Sequence, residues 1–344
     1  MTTTMRRIPS SWIYTCLLAT LPLYGVQSAR GAILASSRDP QCQYELRGPI
    51  EAFDHKKVEA IPGLEAGAQI VICLNSPGGS YVGGKELYNT FMVQGIGTRV
   101  RRGDQCHSAC ALAFLGGSIW GDHRYVNRSM EPGAKLGFHA PYVNLPKGTY
   151  DDKVVANTTR AAIRIVNLLV KDRSSLKVSE KFIADFVLYD ARETKAIATI
   201  RDAAHAGVEL STKTQDISFT RDALKNACVL LFDRYIDAFE EPIKAHVPVF
   251  DPQEDSEFVE VREQVLTIDG AEWRAISAVH AWELPYHTAS CAFRKNDGIP
   301  GGYQAMMWSN DINEAPDLTG AIRAVRIDVP WWFFLPKETP VSSL

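Results

Sequence analysis

Gln105-Cys106-His107-Ser108-Ala109-Cys110 runs straight into the apolar segment Ala111 to Leu115 and stops at Gly116-Gly117. A serine among small residues at the mouth of an apolar helix suits a nucleophile. The first N–H groups of a helix have no partner within it, and its positive dipole end faces the same way. Both favour a developing oxyanion. The bland alternative is an N-cap, a common place for serine. Upstream, Ile70 to Ser80 reads IVICLNSPGGS, a buried strand that breaks into a Pro-Gly-Gly turn. Gly78-Gly79 lets the backbone turn tightly and aim N–H groups inward. Downstream, Leu136 to Pro141 reads LGFHAP, a histidine ending a short apolar segment. His139 follows Ser108 by 31 residues. A serine is inert until a base takes its proton, and a histidine can be that base.

Around these motifs the pattern alternates. Cys42 to Ile50, Ile70 to Leu74, Gly97 to Val100 and Ile119 to Val126 read as strands. Gly83 to Val93, Ala109 to Leu115, Tyr150 to Lys171 and Val178 to Tyr189 read as helices. Val58 to Ala66 is a weak helix or loop, Ala29 to Pro40 is coil, and Arg128 to Gly137 is a turn. Alternation of this kind predicts an α/β fold with a mainly parallel sheet flanked by helices. The composition turns polar near Ser211 to Gln215, which places a domain boundary there. Beyond it, Asp222 to Phe239 reads as a helix. Phe258 to Leu266, Trp273 to Val279, Trp282 to Leu284, Tyr303 to Trp308 and Ala321 to Val329 read as strands, giving an α+β accessory domain. Its tryptophans Trp273, Trp282, Trp308, Trp331 and Trp332 suit core packing better than a binding platform.

The chain has 344 residues, 46% hydrophobic and 22% charged, with a formal net charge of −3. That is room for one large or two modest domains, with no general attraction for nucleic acid or an anionic membrane. Arg6 and Arg7, the mostly apolar Trp12 to Val26 and the small residues Gln27-Ser28-Ala29 predict a cleaved signal peptide over 1–28. Domains over 29–215 and 216–344 would follow. Export would place the mature chain in the periplasm or outside the cell. It would keep Cys42, Cys73, Cys106, Cys110, Cys228 and Cys291, an even set that fits disulfides. Cys106 and Cys110, at i and i+4, suit a bridge that stiffens the serine turn. Buried free thiols or a cysteine nucleophile are the alternatives. Cys228 and Cys291 are the candidates for a bridge in the second domain. Two cysteines with only His107 nearby do not make a zinc set, so no metal is expected.

The order Asn75-Ser76-Pro77-Gly78-Gly79, then Ser108 before an apolar helix, then His139, resembles the Clp protease proteolytic-subunit family within the Clp/crotonase superfamily. The nearest look-alikes are exported, ATPase-independent relatives whose serine is likewise flanked by cysteines. The resemblance covers roughly Cys42 to Leu210. It implies a spiral βαβ fold and an ATP-independent serine peptidase acting on peptide or protein, without a cofactor or ATPase partner. Ser108 would be the nucleophile and His139 the base. Asp185 would be the orienting acid, with Asp190 close behind and Asp151 or Asp152 further off. The N–H groups of Gly79 and Ala109, shaped by Gly78, would form the oxyanion hole. A ring-shaped homo-oligomer is typical of such proteins, although the added C-terminal region could block or replace it. Two rivals stand beside this reading. One is an inactive periplasmic scaffold that keeps the fold. The other is a crotonase-like enzyme acting on acyl thioesters, which export away from coenzyme A disfavours. There is neither a P-loop nor a dinucleotide fingerprint in the chain.

Overall fold

The computed structural model describes residues 31–64, 69–122, 124–140, 148–171, 178–190, 192–235, 259–280, 287–296, 298, 302–311 and 326–344. The signal peptide expected over 1–28 and the strand expected over 282–284 lie outside the described residues.

The chain is an α/β protein. Its largest sheet has six strands in the order β1 (Ile33–Ser36), β2 (Tyr44–Arg47), β3 (Val71–Asn75), β4 (Gly97–Val100), β8 (Arg128–Met130) and β11 (Glu209–Leu210). Only β1 runs antiparallel to its neighbour; every other pair is parallel. The apolar run of β3 is covered on both sides, as a central parallel strand requires. Helices α1 (His55–Glu59), α2 (Tyr81–Gln94) and α3 (Ala109–Phe114) lie between these strands in sequence. The Ser80 side chain accepts the Gly83 N–H to start α2, and Gly95 ends it in the left-handed conformation. Gly84 brings α2 against α3: a Cβ there would lie 2.5 Å from the Ala109 carbonyl oxygen.

A second, three-stranded sheet carries the motifs. Its order is β10 (Lys195–Ala196), β9 (Lys135–Phe138), β5 (Gln105–His107), with β5 parallel to β9 and β10 antiparallel to it. Strand β5 feeds Ser108 and β9 feeds His139. A hairpin of β6 (Ser118–Trp120) and β7 (Arg124–Val126) separates them in sequence. Helices α4 (Asp152–Lys171), α5 (Glu180–Phe186), α6 (Ile200–His205) and α7 (Arg221–Tyr235) follow. Helix α5 docks through Phe182 and Phe186 on Phe138, with ring centroids 5.0 and 5.9 Å away. The C-terminal part is an antiparallel meander of β12 (Val259–Ile268), β13 (Ala271–His280), β14 (His287–Asn296), β15 (Gly302–Asp311) and β16 (Arg326–Pro330). The Cys228–Cys291 disulfide fastens α7 to it.

Several expectations are corrected. The segment expected as coil, 29–40, supplies β1, because Ile33 to Ser36 can pair with β2. The single strand expected over Ile119 to Val126 is a hairpin. Arg128 to Gly137 is a sheet strand, a turn and a second strand rather than a turn throughout. Strand β14 was not expected, since His287 to Asn296 is mostly polar or small, with Phe293 its one large apolar residue. Residues 31–344 form one compact unit; one buried cluster runs from Ala32 to Val341, with residues from both sides of 215, and a second holds Leu266, Trp273 and Trp308. Asp233 of α7 bonds Arg201 at 2.9 Å and His205 at 3.2 Å, both on α6, across the expected boundary. Trp273, Trp308, Trp331 and Trp332 are buried in the core.

Arg128 is the least expected core residue. It is 1% exposed and donates to three carbonyls at 2.9 Å: Leu115 at the end of α3, and Ala206 and Gly207 after α6. Helix C-terminal carbonyls are the natural acceptors for a cation. Burial lowers its pKa to about 9, so it is still charged at pH 7. Arg128→Met should therefore cost about 3 kcal/mol or more in urea unfolding, because three buried carbonyls lose their donor. Arg128→Lys should recover only part, since an ammonium cannot fork. A loss under about 1 kcal/mol for Arg128→Met would contradict this role.

Candidate active site

Ser108 closes β5 and opens α3 at φ 57° and ψ −122°. Only two described non-glycine residues have positive φ, and Ser108 is one of them. Such a backbone costs of order 1–3 kcal/mol and persists only where the surroundings hold it. The capping alternative fails, because the Ser108 side chain makes no cap hydrogen bond to α3. Its backbone is pinned on both sides: Ser108 N–H donates to the Gly137 carbonyl at 3.1 Å, and its carbonyl accepts from Leu112 at 3.1 Å. The Cys106–Cys110 disulfide closes the elbow, with Cα atoms 5.1 Å apart. Cys106 lies on β5 and Cys110 on α3, so the bridge spans the strand-to-helix turn rather than one turn of a helix.

The glycine turn packs directly against this elbow. A Cβ on Gly78 (φ 101°) would lie 2.7 Å from Ser108 Cβ and 3.3 Å from the Ala109 nitrogen. Ile50 N–H donates to Gly78 and the Ile50 carbonyl accepts from Ser80, each at 2.8 Å. Gly79 lies between those two, in an isolated parallel bridge with Ile50. Just before the turn, Ser76 exchanges bonds with Gln105 and His107 of β5. The Gly79 and Ala109 N–H groups thus both belong to the turns that meet at Ser108. The buried Ser76 hydroxyl accepts the Gly78 N–H at 3.1 Å and fixes the turn.

His139 follows β9, two residues beyond the Gly137 that binds Ser108 N–H. Its Nδ1 meets the Ala140 carbonyl oxygen at 2.7 Å. Since a carbonyl only accepts, that contact puts the proton on Nδ1 and the basic lone pair on Nε2. Ala140 N–H in turn donates to the Tyr189 carbonyl at 2.9 Å, tying the histidine segment to the end of α5. Asp185 is half-buried on α5; burial works against the charge of Lys195 on β10, but Asp202 above all, then Tyr189 and Asp185, raise its pKa over the ordinary value. Asp190 is turned elsewhere. Its carboxylate takes Arg192 Nη2 at 2.6 Å and the Arg192 N–H at 2.7 Å. Those hydrogen bonds hold its pKa down to about 2. Asp151 accepts the Val154 N–H at 2.8 Å at the start of α4.

Two features escape a reading by motif. His107, next to Ser108, is half-buried. Burial first, then the charges of Lys135 and His139, hold its pKa below the usual value, so it is neutral at pH 7. A relay of side chains also holds the glycine turn to β5. Asn75 Nδ2 donates to Asp104 Oδ1 at 2.7 Å, Arg101 Nε donates to Asp104 Oδ2 at 2.7 Å, and Arg101 reaches the buried Glu45. Glu45 and Asp104 are 59 residues apart, and no local spacing joins them.

Cys42–Cys73 completes three disulfides, which suit an oxidising compartment. Among the described residues no helix is long and apolar enough to cross a membrane. Compared with protein-family models and with curated proteins, the chain matches none.

The strain at Ser108 is testable by itself. Glycine normally costs about 0.5–1 kcal/mol relative to alanine, but here it relieves about 1–3 kcal/mol of backbone strain. Ser108→Gly should therefore be more stable than Ser108→Ala by about 1 kcal/mol in urea unfolding. A glycine variant less stable than the alanine variant would refute the strained elbow.

Proposed function

We propose that the chain is an exported, ATP-independent serine hydrolase of Clp/crotonase-like fold that cleaves peptide bonds. The observation that carries this reading is the meeting of the Gly78-Gly79 turn with Ser108, a strained serine that caps nothing. His139 Nε2 takes the proton as Ser108 Oγ attacks the carbonyl carbon. The N–H groups of Gly79 and Ala109 receive the oxyanion; each such donor is worth about 2.7–4 kcal/mol in the transition state. The imidazolium then protonates the leaving amine. Water, with His139 again as base, releases the acyl group from Ser108. The parallel sheet and the small sheet that delivers serine and histidine agree with the fold implied by the resemblance. The disulfides agree with export.

The Ala140 carbonyl orients His139 in this reading, where a triad would use a carboxylate. A carbonyl sets the tautomer but carries no full charge to stabilise the imidazolium. Loss of a triad carboxylate can cost about 10⁴-fold in turnover. In this reading Asp185, the last of the groups that raise the Lys195 pKa, is not a direct relay, and the proposed enzyme is slow. That same contact favours the second reading, an inactive scaffold.

A fluorophosphonate probe separates the two. Wild type should be labelled; Ser108→Ala should not be, and His139→Ala should slow labelling by about 100-fold or more. Asp190→Asn should leave the rate within about twofold, because its carboxylate is held by Arg192. Asp185→Asn should lower it by no more than about tenfold, far short of a triad loss. Undiminished labelling of Ser108→Ala would move the nucleophile elsewhere, and an inert, folded wild type would favour the scaffold.

A further inference from the structure

A cavity of about 350 Å³ runs beside β9 and β10, within the size range of small-molecule sites. Leu136, Ile197 and Val341 give it apolar walls, and His107, Lys135 and Ser342 give it polar ones. Nδ1 of His107 is buried and has no hydrogen-bond partner among the described residues. An unpaired buried polar atom costs about 1–3 kcal/mol, and here it belongs to a ring that lines the cavity. Lys135 has no carboxylate partner among the described residues, and its charge reaches the His107 ring. A cation and an imidazole thus line one apolar cavity with no acid among its lining residues. The missing complement is an anion with an apolar body.

We propose that this cavity binds an aliphatic carboxylate, its head between Lys135 and His107 and its chain along Leu136, Ile197 and Val341. A neutral polar ligand would gain nothing from the Lys135 charge, and a bare inorganic anion would gain nothing from the apolar walls. Two sources offer the chemistry: the apolar C-terminal residue of a peptide, and a short fatty acid. Binding does not require activity at Ser108.

Isothermal titration of the full chain tests this with octanoate and N-acetyl-leucine, against their neutral controls octanamide and N-acetyl-leucinamide. At least one acid should bind saturably with one-to-one stoichiometry, and its amide at least about tenfold more weakly. Lys135→Met, on an exposed position, should weaken the acid by at least about tenfold without shifting the melting temperature. Ser108→Ala should bind as wild type does. Preference for octanoate would assign the fatty acid, and preference for N-acetyl-leucine would assign the peptide end. No saturable binding of either acid at millimolar concentration, equal binding of acid and amide, or an unaffected Lys135→Met would overturn the proposal.

Discussion

The contact between Gly78 and Ser108 governs the site. A methyl group on Gly78 would lie 2.7 Å from Ser108 Cβ and 2.6 Å from the His107 carbonyl oxygen, closer than real Cβ contacts allow. Two turns from different sheets approach this closely only because one of them carries hydrogen there. The approach sets the Gly78-Gly79 turn and the Ala109 nitrogen beside the same serine, and it needs both backbones in conformations that chains avoid. Much of the surrounding structure acts to keep them there. The Cys106–Cys110 bridge closes the elbow, the Gly137 carbonyl holds Ser108 N–H, and the Asn75–Asp104–Arg101 relay binds the glycine turn to β5.

Strain of this kind must be balanced by cooperative packing elsewhere. Here that packing extends into the C-terminal part. Helix α7 joins α6 through Asp233, which binds both Arg201 and His205. Burial alone would raise the Asp233 pKa, but the bonds and charges of His205 and Arg201 outweigh it and hold the carboxylate below its ordinary value. The pairing stabilises the fold above the ordinary aspartate range and is lost as pH falls through the lowered value. Val341 N–H donates to the Ala198 carbonyl at 2.8 Å, beside β10. The C-terminal part therefore braces the sheet that carries His139.

Legibility in the sequence followed the range of the interactions. Ile70 to Ser80 and Gln105 to Leu115 were readable because strand, turn and apolar helix are encoded within a few residues. The disulfides at Cys106–Cys110 and Cys228–Cys291 were readable as candidates from spacing and position. The edge strand β1 was not, since Ile33 to Ser36 becomes a strand only when β2 offers an edge. Arg128 looked like part of a polar turn; its three carbonyl partners lie up to 79 residues away. The orienting group for His139 was sought among carboxylates, yet its Nδ1 meets the next residue's carbonyl. A backbone group leaves no mark in composition, so no motif could have pointed to it.

The central claim is that the Gly79 and Ala109 N–H groups serve an oxyanion at Ser108. A crystal structure of the covalent fluorophosphonate adduct tests it most directly. The phosphoryl oxygen should lie about 2.7–3.1 Å from both nitrogens, with phosphorus bonded to Ser108 Oγ. An adduct on Ser108 whose phosphoryl oxygen faces solvent, away from Gly79, would contradict the account.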